Sequence, residues 1–227
     1  MLNIALDGPA GSGKSTIAKQ LSKTLNVLYL DTGAMYRACA LKAKKCGISC
    51  KDEKGVETFI NDVDVKVDYV NGAQVTYLDG EDVSKKIREN DISMMASDIS
   101  ALKNVRIKLV DLQRQIASKH DCILDGRDIG TNVLPNANYK FYVTASLDVR
   151  ANRRYKELIE RGQTVEFNAL KKEMEIRDYN DSHREFAPLR QADDAILIDT
   201  SNMTIEEVIS TVLSYINKWG LYVLLAC

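Results

Sequence analysis

The octapeptide Gly8-Pro9-Ala10-Gly11-Ser12-Gly13-Lys14-Ser15 has the residue types and the spacing of a phosphate cradle. Its glycines let the backbone curl closely around phosphate oxygens with successive N–H groups pointing inward. Lys14 adds a mobile positive charge, and the Ser15 hydroxyl can enter the coordination sphere of Mg2+. An apolar run, 2–6, enters the loop, and Ile17, Ala18, Leu21 and Leu25 leave it at helical spacing. The helix predicted over about 14–25 puts its positive dipole end under a bound anion. Residues Gly8 to Thr16 are therefore the candidate phosphate-binding segment, with Lys14 as its mobile charge. A glycine-rich turn meeting the pattern by chance lacks this strand and helix around it.

Four further groups of residues carry chemistry. Asp31-Thr32-Gly33-Ala34-Met35-Tyr36-Arg37 follows a second apolar run, so it belongs at the carboxyl edge of a sheet, facing the glycine loop. There Arg37 can fork onto a phosphate and Thr32 can offer a hydroxyl, although Asp31 or Thr32 capping a helix beside a solvated Arg37 fits the same spacing. Asp125-Gly126-Arg127-Asp128 ends a third apolar run in a carboxylate: Asp125 can orient Mg2+ through water, Arg127 can hold a second phosphate group, and Asp128 can accept from an exocyclic amine. A plain Asp-Gly turn is the alternative. Arg150, Arg153 and Arg154 share one helix face at spacings of three and four, where like charges repel unless an anion sits among them. A transferring phosphoryl group is such an anion, and Glu157 and Glu160 are surface alternatives to it. Finally, 177–184 is denser in polar groups than a helix needs for solubility and is expected to wall the site.

The elements that must position these groups follow from the apolar pattern. Strand-like runs at 2–6, 27–30, 122–124, 140–144 and 195–198 alternate with helical stretches, the rhythm of a five-stranded parallel sheet in a three-layer α/β fold of the P-loop NTPase type. One region breaks the rhythm. Val63, Val65, Val67 and Tyr69 alternate with Asp64, Lys66 and Asp68, Asn71-Gly72 supplies a turn, and Val75 and Tyr77 are expected to return on the same side. An inserted antiparallel element over about 60–85 is thus predicted. A helix over 104–119, a charged helix over 146–161 and a capping box at Thr204-x-x-Glu207 complete the reading.

Composition narrows the setting. At 227 residues, 45% hydrophobic and 28% charged, the chain can bury a substantial core as one domain. A formal net charge of −1 gives no global attraction to nucleic acid or to anionic membranes, so neither is an expected partner. Five cysteines, an odd count without a paired framework, suit reduced thiols in a cytoplasm. Cys46 and Cys50 are spaced like a metal pair, yet with two histidines and no second cysteine pair no structural zinc is expected. The motif begins within ten residues of Met1, leaving no room for a signal peptide, and the apolar tail 219–227 is far shorter than a membrane span and is expected to dock on the body.

Taken together, Asp7 to Thr16, Asp31 to Arg37, Gly80-Glu81-Asp82-Val83, Asp125 to Gly130, Arg177-Asp178 and Ala187-Pro188-Leu189 resemble bacterial cytidylate kinases, in order over nearly the whole chain. The resemblance implies transfer of the γ-phosphoryl group of ATP, bound at Gly8 to Thr16, to CMP or dCMP; Mg2+ is expected, from the residue patterns above, on Ser15 directly and on Asp125 through water. It implies that Thr32, Arg37, Ser97, Arg106, Arg127, Asp128, Asp181 and Arg184 surround CMP: Ser97, Arg106 and Asp128 on the cytosine, Arg37 and Arg127 on its phosphate, Asp181 and Arg184 on the ribose side. Catalytic roles are expected for Lys14, Arg127, Arg153 and Arg154. The expected layout is a core of 1–30, 101–147 and 190–227, an acceptor-binding region of about 31–100 that includes the insert, and a lid of about 148–165 in a monomer. Thr32 stands where the family often has serine, and the tail has no family counterpart. Kinases of UMP, AMP or a small metabolite such as shikimate stay open as alternatives, as does a slow ATPase switch. Acceptor-dependent ADP formation separates these.

Overall fold

The computed structural model describes residues 1–225, with the side chains of Asn90 and 217–225 outside the description. In chain order the elements are β1 (Asn3–Asp7), α1 (Lys14–Leu25), β2 (Leu28–Asp31), α2 (Thr32–Lys45), α3 (Glu53–Ile60), β3 (Val65–Val70), β4 (Ala73–Leu78) and β5 (Glu81–Asp82). They continue with α4 (Asn90–Ile99), α5 (Lys103–Ala117), β6 (Cys122–Gly126), β7 (Tyr139–Thr144), α6 (Leu147–Glu160), α7 (Phe167–His183), β8 (Ile196–Asp199) and α8 (Ile205–Leu225).

The central sheet runs β2-β6-β1-β7-β8 with every pairing parallel, as the alternation of apolar runs and helices predicted. Both of its faces are covered, which is why its strands read as continuous apolar runs. Ile4 and Leu6 of β1 pack with Ile17 and Leu21 of α1 and Val212 of α8 on one side. Ala5 of the same strand faces Met35 and Leu109 of α2 and α5 on the other. Because β1 lies between β6 and β7, the loops after β1 and β6 open into one crevice at the carboxyl ends of the strands.

Helix boundaries follow their local chemistry. Asp31 caps α2 by accepting from Ala34 N–H at 2.9 Å. At α8 the Thr204 and Glu207 side chains each take the other's backbone N–H, at 3.2 and 2.8 Å, a reciprocal capping box. Ala151, Leu158, Leu170 and Met174 bind α6 to α7 in a small cluster of their own, apart from the two cores on the sheet. Among the described residues no helix is long and apolar enough to cross a membrane, and Cys39, Cys46, Cys50 and Cys122 are free thiols. The expected docking of the tail, 219–227, lies outside the described side chains.

The insert folds as the antiparallel sheet β3-β4-β5, but one face of β4 differs from expectation. Asn71 and Gly72 both have positive φ, a two-residue turn that sets Val70 opposite Ala73. Odd-numbered residues of β3 therefore face even-numbered residues of β4: Val65 meets Leu78, Val67 meets Thr76 and Tyr69 meets Gln74. Val75 and Tyr77 lie on the opposite face from Val65 and Val67, not beside them. Turn length fixes the parity of the return strand, and a two-residue loop inverts it.

Candidate active site

Three left-handed glycines shape the loop after β1: Gly8, Gly11 and Gly13 have φ of 144°, 74° and 93°. A Cβ on Gly8 would lie 2.0 Å from the carbonyl oxygen of Val143 in β7, so the loop's seat on the sheet admits no side chain there. Lys14, fully enclosed, donates from Nζ to the Pro9 carbonyl at 2.7 Å and to Ser12 Oγ at 3.1 Å. Burial and the Arg127 guanidinium hold its ammonium well below the usual lysine range, against the pull of Asp125 and Asp7. Arg150 and Thr200 brace the loop from behind. Arg150 Nη1 donates to the Ala10 carbonyl at 3.0 Å and pairs with Asp178 at 2.6 Å, while Thr200 Oγ1 donates to the Ser12 carbonyl at 3.2 Å.

Ser15 and Asp125 meet across the crevice, where Ser15 Oγ donates to Asp125 Oδ2 at 2.6 Å. Tyr29 donates to the other carboxylate oxygen at 3.2 Å. Burial, with Asp31 nearby, pushes the Asp125 carboxyl up, against the pull of the Ser15 hydroxyl, Lys14 and Arg127. A hydroxyl and a carboxylate that share one point at the foot of the phosphate loop are hard oxygen donors, and they fit Mg2+. Thr32 spends its hydroxyl hydrogen on the Asp125 carbonyl at 2.7 Å, leaving only lone pairs for an acceptor molecule.

On the acceptor side each expected arginine already holds a carboxylate. Arg37 pairs with Asp31 at 2.8 Å and Arg127 with Asp181 at 2.8 Å. Arg106, 1% exposed, pairs with Asp128, donates to the Ser100 carbonyl at 3.2 Å and lies 5.5 Å from the Tyr36 ring centroid. Asp128 also accepts from Asn132 Nδ2 at 2.9 Å and from Arg184 at 3.2 Å, and Arg184 reaches the Ala187 carbonyl with Nε at 2.7 Å. Ser97 is half-buried on α4, one turn before the Ser100 carbonyl that holds Arg106. Thus Thr32, Arg37, Arg106, Arg127, Asp128, Asp181 and Arg184 converge beside the phosphate loop, with Ser97 at their margin. Arg153 and Arg154 do not join them. Arg153 binds the side chain and carbonyl of Thr200 at 3.0 and 2.7 Å, and Arg154 pairs with Glu157 at 2.9 Å.

Asp7, Arg177 and Arg150 also belong here. Asp7, at the end of β1, accepts from the N–H groups of Ile129 and Gly130, both at 2.7 Å, and so clamps the π-type turn Ile129–Val133 that follows Asp128. Burial pushes its carboxyl up to about 6, partly offset by those two donors. Arg177 has a buried Nε with no partner, as does Arg37, and burial together with Arg127 lowers the Arg177 guanidinium to about 10. Two orphaned guanidinium nitrogens in one positive cluster are what an oxyanion satisfies. Arg150 is the third, and among the helix-face arginines it is the one that touches the loop. A carboxylate closing a buried strand was the available signal for Asp7; Arg177 opened the polar stretch expected to wall the site, and Arg150 belonged to the helix-face arginines expected to meet an anion.

Compared with known proteins, residues 4–218 match the pattern of the family described as cytidylate kinase. The cytidylate kinase of Caldicellulosiruptor bescii is 49% identical over 217 residues, 96% of this chain and 96% of that one. The cytidylate kinase of Lactobacillus johnsonii is 45% identical over 218 residues, 96% of this chain and 95% of its own. A solved gluconokinase from Sinorhizobium meliloti, 12% identical, superimposes with a TM-score of 0.50 over 97% of this chain and 95% of its own, a likeness of fold.

Proposed function

The chain belongs to the cytidylate kinase family and is an ATP-dependent kinase of CMP and dCMP, and we propose that the residues gathered at the sheet edge divide the work as follows. Gly8 to Thr16 cradle the ATP phosphates, and Lys14 follows the charge on the moving phosphoryl group. Arg37, Arg127 and Arg177 take the acceptor phosphate, Arg37 and Arg127 turning donors from their aspartates to its oxygens and the unpartnered Nε groups of Arg37 and Arg177 donating to them. Asp128 and Arg106 read the cytosine with Ser97 at its edge, and Asp181 and Arg184 stand on the ribose side. Ser15 and Asp125 would hold Mg2+, which when bound neutralises charge across the β- and γ-phosphates. The acceptor-binding unit is 31–100 and the lid about 148–165, in a monomer of the cytoplasm.

The observation that carries the acceptor assignment is the buried Arg106–Asp128 pair within the same crevice as the phosphate loop. A carboxylate acceptor beside a guanidinium donor matches the amine and ring nitrogen of cytosine. ADP formation with ATP and Mg2+ across CMP, dCMP, UMP, AMP and GMP tests it. Turnover should be nearly silent without acceptor and fastest with CMP or dCMP. Turnover independent of any monophosphate points to a switch, and a preference for another acceptor overturns the base assignment.

The lid reading adds a kinetic expectation. Arg154 is tied to Glu157 by a surface pair worth little, so it is easily released, and Arg153 sits on Thr200 behind the loop. Arg153→Ala and Arg154→Ala should therefore lower kcat more than ATP affinity, because their phosphate contacts would form only on closure. Equal losses in both quantities, or none, would assign the pair to a solvated helix face.

A further inference from the structure

β2 is an outer strand of the central sheet. Its inner side pairs with β6, so the polar backbone groups of Tyr29 and Asp31 point away from the sheet. A free edge needs cover, and here side chains of the insert supply it. The Asp31 N–H donates to Gln74 Oε1 at 2.7 Å, Gln74 Nε2 donates back to the Asp31 carbonyl at 3.3 Å, and the Tyr69 hydroxyl donates to the Tyr29 carbonyl at 3.1 Å. The Gln74 amide thus stands in for a peptide unit of a missing neighbouring strand.

That amide is itself held in place. Gln74 Nε2 also donates to Thr76 Oγ1 at 3.3 Å, and Thr76 is fixed on both sides of its backbone, its N–H to Ser84 Oγ at 2.9 Å and its carbonyl to Val83 N–H at 2.9 Å. A second contact from the same region reaches Asp31 by its carboxylate, since Arg88 lies 3.8 Å from Oδ2. Asp31 is where β2 becomes α2, and its carboxylate caps the helix and holds Arg37. Whatever fixes the backbone of Asp31 therefore fixes where Thr32 and Arg37 stand.

We propose that the β3–β4 hairpin is a positioning element for the acceptor-phosphate end of the site, with Gln74 and Tyr69 as its positioning residues. The inverted parity of β4 is what makes this possible, because it brings Gln74 and Tyr69 onto one face, opposite each other. The proposal rests on the reading of Arg37 as an acceptor-phosphate residue and of Thr32 as one of the residues around CMP.

The test uses Gln74→Met, which keeps side-chain length and loses the amide, Tyr69→Phe, which loses only a hydroxyl, and the double variant. CMP dissociation constants from titration calorimetry, separate KM values for CMP and ATP, and thermal midpoints are measured on each. Gln74→Met should weaken CMP about tenfold, Tyr69→Phe less and the double variant most, with the ATP KM and the midpoint little changed. Unchanged CMP constants in the double variant overturn the proposal, as does a parallel loss of CMP affinity, ATP affinity and thermal midpoint, which would make the hairpin edge cover alone. Wild-type protein that binds ATP but not CMP overturns the acceptor reading itself, and the proposal with it.

Discussion

Lys14→Ala should abolish phosphoryl transfer and leave the fold standing. The ammonium is enclosed at the foot of the loop, where burial and the Arg127 charge disfavour its protonated form until a polyanion arrives. Its two hydrogen bonds, to the Pro9 carbonyl and to Ser12 Oγ, are internal to the loop and hold no core element. Loss of one preorganised charge aimed at the transferring group costs roughly a hundredfold or more in kcat. Removing a disfavoured buried cation costs the folded state little, so the thermal midpoint should stay within a few degrees of wild type. Circular dichroism and single-turnover kinetics on the same preparation separate the two effects. A variant with near-normal kcat would sink the assignment of this loop as the ATP cradle.

The arginines show why the site needs so many carboxylates. Arg37, Arg106, Arg127 and Arg150 each carry an aspartate partner: Asp31, Asp128, Asp181 and Asp178. Bare guanidinium groups packed this closely would repel one another; the aspartates supply the counter-charge that a buried guanidinium needs, and on the proposed reading the arginines hand their donors to phosphate oxygens when substrate arrives. Arg177, with an unpartnered buried Nε, is the point where that balance is incomplete and where an oxyanion gains most.

How much of this was legible in the chain depends on the range of the signal. The phosphate loop, the five core strands and the box at Thr204 and Glu207 were readable because each is local: a turn needing glycine, an apolar run, a reciprocal cap. The face of β4 was misjudged although it too is local, because hydrophobicity was followed where turn length decides parity, and Thr76 and Gln74 point inward despite being polar. Among Arg150, Arg153 and Arg154 the helical spacing was right and the division of labour was not visible. Which of them meets Ala10, Thr200 or Glu157 depends on elements far apart in sequence that converge only in three dimensions. Asp7 shows the same limit from the other side, since its clamp on Ile129 and Gly130 spans more than half the chain.

The proposed base-reading pair, Arg106 and Asp128, yields the second large expectation. Cytosine presents a donor at its exocyclic amine and an acceptor at the neighbouring ring nitrogen, and uracil reverses both, so a carboxylate beside a guanidinium should prefer CMP strongly. Asp128 accepts from Arg106 and Asn132 on Oδ2 and from Arg184 on Oδ1. A carboxylate has about four acceptor positions, so one on Oδ1 is left for the amine. Facing UMP, that oxygen meets a carbonyl and stays unpaired, at roughly 1–3 kcal/mol. Asp128→Ala should therefore lose most activity toward CMP and narrow the CMP to UMP ratio of kcat/KM, with little change in the ATP KM. It also leaves Arg106 buried without its counter-ion, at a cost of about 3–5 kcal/mol, so the alanine variant is expected to melt lower as well. Asp128→Asn separates specificity from stability. Its amide oxygen still accepts from Arg106, while its NH2 group gives up the bond from Arg184 and offers a donor where uracil has a carbonyl. The asparagine variant should stay closer to wild type in melting and show the CMP to UMP ratio collapsing from both sides, by loss of CMP turnover and gain of UMP turnover. An unchanged ratio in an active asparagine variant would mean that Asp128 holds Arg106 and Arg184 in place and does not read the base.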